Sequence, residues 1–157
     1  MQVKRHILAG FAVATFAATA VFAGSHSDSP EAKATKARQA HMQLYAHNLG
    51  ALGAMAKDAV DFDASAAQAA ADNLAALATM NQMSYWLPNS SSDDVEGSRT
   101  LAAMWDDIPG AMKAGEGLAG AAMAMQAAAG TLEGVQGAIG AVGGACGACH
   151  KAYRQPN

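Results

Sequence analysis

The chain has 157 residues, a formal net charge of −3 and a hydrophobic fraction of 52%. That length suits one domain, and the acidic balance argues against nucleic acid as a partner, because phosphate backbones reward basic patches. Only two cysteines are present, three positions apart, which leaves no disulfide framework of the kind that staples small secreted folds.

The N-terminus reads as a signal peptide. Lys4 and Arg5 supply the positive start, Ile7 to Val21 form an apolar run, and Val21-Phe22-Ala23 places small residues at the positions before a cut after Ala23. The run is short for a membrane span of roughly 20 residues. Residues 1–23 are therefore expected to be removed, leaving a single domain at 24–157 in the periplasm with no membrane anchor. Loss of Lys4 and Arg5 leaves eight basic residues against thirteen acidic ones.

Composition points to helix. Alanine dominates, β-branched residues are sparse and no alternating strand pattern occurs. The first predicted helix covers 30–57, with Ser29 as cap, Pro30 in the first position and Glu31 complementing the dipole. Its apolar stripe runs through Arg38, Met42, Tyr45, Leu49, Leu52 and Ala56. The second covers 64–86, capped by Asp63, with Ala67, Ala70, Leu74, Leu77 and Met80 or Asn81 on one face. It ends before Pro88, which disfavours helix in the preceding residue. A polar loop follows at 89–98, and 100–105 reads as a short turn or helical start. A third helix covers 109–129. A fourth covers 131–153, with Thr131 as cap and a stripe of Leu132, Val135, Ile139, Val142 and Cys146. The expected fold is all-α, an up-down-up-down antiparallel four-helix bundle. The fourth helix also holds six glycines, each costing up to about 1 kcal/mol relative to alanine. Two readings stand: small residues admitting a flat macrocycle or a neighbouring backbone, or drift in a Gly- and Ala-rich chain.

Residues 146–150 read Cys-Gly-Ala-Cys-His, the pattern of covalent haem attachment. On a helix Cys146, Cys149 and His150 project from one face. Both thiols can then form thioethers to one porphyrin while the imidazole meets its iron from the same side. A dithiol redox motif would accompany a βαβ pattern, which is missing. A structural zinc site needs four ligands, and no second pair stands at suitable spacing. The cofactor expected is one covalently bound haem c.

The motif lies at the extreme C-terminus, followed by Tyr153-Arg154. A four-helix chain ending in this way resembles the class II cytochromes c, cytochrome c' and its low-spin methionine-ligated relatives. The resemblance covers the whole domain. It includes Arg38-Gln39 with Met42, the segment Leu52-Gly53-Ala54-Met55-Ala56-Lys57 with Phe62-Asp63, Trp86-Leu87-Pro88, and Met104-Trp105. It implies that Cys146, Cys149 and His150 hold the haem, that Arg154 lies close to it, that Arg38 stands near a propionate, that Met42 faces the iron on the distal side, and that Trp86 helps close the pocket. It also implies a redox partner protein and admits a homodimer through the first two helices.

Met42 decides between two functions. As a second iron ligand beside His150 it makes a low-spin electron carrier, since methionine and histidine together raise the reduction potential. This is the favoured expectation. The alternative is a five-coordinate haem binding nitric oxide or carbon monoxide at its distal face, with Met42 only packing there. The rival distal ligands His41 and His47 are expected at the surface. Met80, Met83, Met104, Met112, Met123 and Met125 are expected as core filler, and Asp93-Asp94 as part of a solvated loop. No nucleophile–base pair has a recognisable spacing, so no enzymatic activity is expected.

Overall fold

The computed structural model describes residues 29–156. The expected signal peptide lies outside the described residues. The helices are α1 (Pro30–Ala56), α2 (Ala64–Thr79), α3 (Ala103–Asp106), α4 (Ile108–Ala128) and α5 (Leu132–Tyr153), with a 3-10 turn at Met83–Tyr85.

Each long helix starts where a side chain can satisfy its unpaired N–H groups. Ser29 Oγ accepts from Ala32 N at 3.1 Å, and Asp63 Oδ1 accepts from Ser65 N at 2.8 Å and Ala66 N at 3.0 Å. Asp107 Oδ1 accepts from Gly110 N at 3.0 Å, and Thr131 Oγ1 from Gly134 N at 3.1 Å. Gly134 answers a steric need, because a Cβ there would collide with the Ala128 carbonyl in the tight α4–α5 turn.

The long helices close a square: α1 packs on α2 and α5, and α4 packs on α2 and α5. Short links at 57–63 and 129–131 set neighbours antiparallel, giving the four-helix bundle. The core is built from small side chains. Ala67, Ala70, Ala71, Ala75, Ala122 and Ala129 surround Leu52, Leu74, Met125, Val135 and Val142. Among the described residues no helix is long and apolar enough to cross a membrane.

Three expectations need correction. First, α2 ends at Thr79, a full turn and more before Trp86. Met80 turns extended at φ −64° and ψ 142°. Asn81 Oδ1 accepts from Met83 N at 3.0 Å, an Asx turn that leads the chain into the 3-10 segment. The buried stripe accordingly stops at Leu77, and Met80 and Asn81 are exposed.

Second, His41 is buried rather than at the surface. The early end of α2 explains it, since the last carbonyls of a helix lack partners within it. Leu77 O lies 3.2 Å from His41 Nε2 and also accepts from Gln82 Nε2 at 3.3 Å. A carbonyl only accepts, so this imidazole nitrogen carries the proton. The ring also meets Tyr45 edge-on at 4.8 Å. His47 is exposed as expected.

Third, of the methionines expected as core filler, only Met104 and Met125 are buried; Met80, Met83, Met112 and Met123 are exposed. An alanine-lined core leaves little room for long side chains. At Gly137, Gly140, Gly143, Gly144 and Gly147 an added Cβ would meet nothing within 4 Å, so close approach of a neighbouring backbone accounts for Gly134 but not for the other five glycines of α5.

Candidate functional site

The C-terminal turns of α5 hold the attachment pattern. Residues 146–150 are continuously helical, so Cys146, Cys149 and His150 share one face at i, i+3 and i+4. Both cysteines are free and half-buried. Burial pushes both thiols above the ordinary cysteine range, and Cys146 pushes Cys149 further. Burial lowers the His150 imidazole, and the positive charges of Arg154 and then Arg99 lower it more. A neutral imidazole at pH 7 is the form that binds a metal.

Backbone pairing fixes the end of this helix. Arg154 N donates to His150 O at 3.1 Å, Leu101 N to Tyr153 O at 2.9 Å, and Gln155 N to Arg99 O at 2.9 Å. Thr100 and Arg154 form an isolated antiparallel bridge. Arg154 therefore sits at the close of α5, half-buried and near His150.

On α1, Tyr45 belongs to the core, and Met42 and Leu49 pack against it. Tyr45 is buried, and its phenol is pushed up to about 12 by burial, against a lowering hydrogen bond from Gln82 and with a smaller raising contribution from Cys146. That last interaction places Tyr45 beside the motif. Met42 is half-buried and packs against the apolar core.

Arg38 is buried at the same end of α1. Its Nη1 donates to Tyr85 O at 2.7 Å and Ser90 Oγ at 3.2 Å. Its Nη2 donates to Ser90 O at 2.9 Å, Ser98 Oγ at 3.2 Å and Thr35 Oγ1 at 3.3 Å. The guanidinium also lies over the Trp86 ring, 4.8 Å from its centroid. Trp86 O in turn accepts from Trp105 Nε1 at 3.4 Å. Arg38 thus binds the loop at 85–98 to α1, and its Nη hydrogens are engaged by protein oxygens. The buried Ser90 and Ser98 were not marked by sequence reasoning. A buried arginine needs acceptors, but sequence does not say which distant hydroxyls supply them. The Asp93-Asp94 pair is ordinary loop chemistry, with Asp94 Oδ2 accepting from Ser91 Oγ at 2.6 Å.

Two free thiols one turn apart with an adjacent neutral imidazole fit a haem attached by two thioethers and ligated by that imidazole. The same set is too small to cage a bare ion, and among the described residues no three His, Cys, Asp or Glu side chains gather as metal ligands.

A family model described as Cytochrome C' matches residues 33–154. A cytochrome c-554 from Cereibacter sphaeroides is 39% identical over 119 residues, covering 75% of this chain and 78% of that protein. The solved cytochrome c' from Rhodobacter Spheriodes superposes with a TM-score of 0.79 at 34% identity, covering 81% of this chain and 98% of that one. A nitric oxide complex of a variant of cytochrome c prime from Alcaligenes xylosoxidans superposes with a TM-score of 0.71 at 27% identity, covering 83% of this chain and 98% of that one.

Proposed function

This chain belongs to the cytochrome c' family and carries covalently bound haem c; from that premise we propose that it is a periplasmic domain, residues 24–157, binding nitric oxide or carbon monoxide at the distal face of a five-coordinate haem. Haem bound here would supply a reversible one-electron change at iron and a site for a small ligand. Cys146 and Cys149 would hold the porphyrin to α5, and His150, kept neutral by burial and by Arg154 and Arg99, would ligate the iron.

The observation that carries this reading is the state of α1. Its one buried imidazole, His41, is held by the Leu77 carbonyl at 3.2 Å. Met42 packs with apolar side chains on the core. With His41 held by a carbonyl and Met42 engaged with apolar side chains, α1 supports a distal face suited to a neutral diatomic molecule. Arg38, Trp86 and the 85–98 loop close that end of the bundle. The variant of the Alcaligenes xylosoxidans relative that was solved as a nitric oxide complex supports the same chemistry here.

A second reading rests on the half-exposure of Met42, which leaves its thioether free to reach the iron. The site would then be a low-spin carrier exchanging electrons with a redox protein, because His/Met ligation suits electron transfer. A homodimer is compatible with both readings. Family members are electron-transfer or gas-binding haemoproteins rather than classical enzymes.

Absorption spectra of both redox states, with and without carbon monoxide, separate the two. Broad high-spin bands that shift with the gas are expected, and Met42→Ala should leave the spin state unchanged. A ferric methionine-to-iron band, no response to carbon monoxide, and conversion to high spin in Met42→Ala would overturn the five-coordinate reading in favour of the carrier.

A further inference from the structure

One contact at the end of α5 is built with more care than helix stability requires. Tyr153 lies three residues beyond His150, on the same closing turn. Its hydroxyl donates to Asp107 Oδ2 at 2.7 Å, across 46 positions of sequence. Asp107 already serves as the cap of α4, where its Oδ1 accepts from Gly110 N at 3.0 Å. Each carboxylate oxygen therefore holds a different helix: Oδ1 the start of α4, Oδ2 the end of α5.

Gly110 completes the joint. A Cβ at this position would run into both the Asp107 carboxylate and the Tyr153 hydroxyl. Gly110 is not among the residues with positive φ, where the one glycine among the described residues is Gly97, so no backbone conformation demands it. It sits in a helical first turn where alanine would be favoured by up to about 1 kcal/mol. What it provides is the space in which phenol and carboxylate meet. The phenol holds the Asp107 carboxyl below its usual range, and the carboxylate pushes the Tyr153 phenol up.

The terminal turn of a helix frays unless something holds it. Here the turn that frays would be the one bearing His150. Backbone bonds to Leu101 and Arg99 tie down the main chain at the close of that turn, and a side chain adds a second anchor. The Tyr153 hydroxyl is that anchor, since it ends on the carboxylate that caps α4.

We infer that Tyr153, Asp107 and Gly110 form a clasp that sets the orientation of the last turn of α5, and through it the angle at which His150 presents its imidazole. Tyr153 and Asp107 are positioning residues in this arrangement. The inference rests on the reading of His150 as the proximal ligand.

The test uses the haem-loaded protein in its ferric form and follows two readouts. One is the reduction potential. The other is the set of hyperfine-shifted proton resonances of His150, assigned by isotope labelling of histidine; these arise in either spin state and follow the orientation of the imidazole. Tyr153→Phe removes one hydroxyl, and Gly110→Ala wedges the joint apart without removing any polar group. Both are expected to displace the His150 resonances and the potential. The double variant should show no more than the larger single effect, because both act on one joint. Val135→Ala, a core truncation at the far end of α5, should lower the melting temperature while leaving the His150 resonances in place.

If Tyr153→Phe and Gly110→Ala lower the melting temperature but leave resonances and potential at wild-type values, the clasp is merely structural and the inference falls. If the wild-type His150 protons carry no hyperfine shift, the ligand assignment itself fails, and that outcome is separate from the first.

Discussion

Replacing Arg38 by methionine tests whether the buried guanidinium holds the 85–98 loop. The magnitude follows from what each acceptor retains. Ser90 O keeps a bond from Ser98 Oγ at 2.9 Å, and the Ser90 hydroxyl keeps its donation to Leu87 O at 2.7 Å. The hydroxyls of Thr35, Ser90 and Ser98 lose an accepted bond only. Tyr85 O, at 2.7 Å from Nη1, is the acceptor that loses its short charged donor. Breaking a buried charged network costs about 3–5 kcal/mol when a partner charge is stranded. No charge is stranded here, and one short hydrogen bond to a charged donor contributes about 1.5–3 kcal/mol. Adding the lost stacking on Trp86, at about 0.5–2 kcal/mol, gives an expected loss of about 3 kcal/mol. Equilibrium unfolding of the haem-loaded variant in guanidinium chloride measures it as a fall in midpoint at constant slope. Arg38→Lys should lose nearly as much, because an ammonium cannot fork between Tyr85 O and Ser98 Oγ. A loss below about 1 kcal/mol, the range of an exposed ion pair, would refute the reasoning and show that the loop stands without its arginine.

Two further outcomes follow from the packing and the caps. Leu52 is wholly buried between helices, so Leu52→Ala should cost about 2–5 kcal/mol, whereas Leu44→Ala, at an exposed site on the same helix, should stay within about 0.5 kcal/mol; equal midpoints for the two variants would contradict the core assignment. The Asp107 carboxyl is held low first by the Tyr153 hydroxyl and then by Gly110 N, so its contribution is present above its unfolded pKa of about 3.9 and is lost as pH falls through the lower folded value. Stability curves of the wild type and Asp107→Asn should therefore converge in that acid window; curves that stay parallel through it would exclude the carboxylate from the clasp.

The parts of the fold that were legible in sequence are those whose causes are local. Ser29-Pro30, Asp63 and Thr131 announce helix starts because capping involves residues two or three positions away. The attachment motif is likewise contained in five residues, so Cys146, Cys149 and His150 fall on one face of α5 as spacing dictates. His41 escaped because its partner, the Leu77 carbonyl, exists only where α2 stops, and that stop is set by an Asx turn at Asn81 rather than by Pro88. Arg38 was marked by resemblance, but its acceptors lie about fifty positions away in a loop whose serines read as solvated. The exposed methionines escaped for a different reason. Hydrophobic identity predicts burial only when the core has room, and alanine packing leaves little. The pairing of Tyr153 with Asp107 carries no local mark, since neither a phenol near a chain end nor a cap residue predicts the other.

The segment joining α2 to α4 is gripped from both ends of the chain, by α1 through Arg38 and by the close of α5 through the Thr100–Arg154 bridge. The middle connection is therefore complete only when residues 153–155 pair with 99–101. Loosening the last turn of α5 would accordingly release one of the two grips on the loop that Arg38 holds, so the attachment turn and the distant loop share a common anchor.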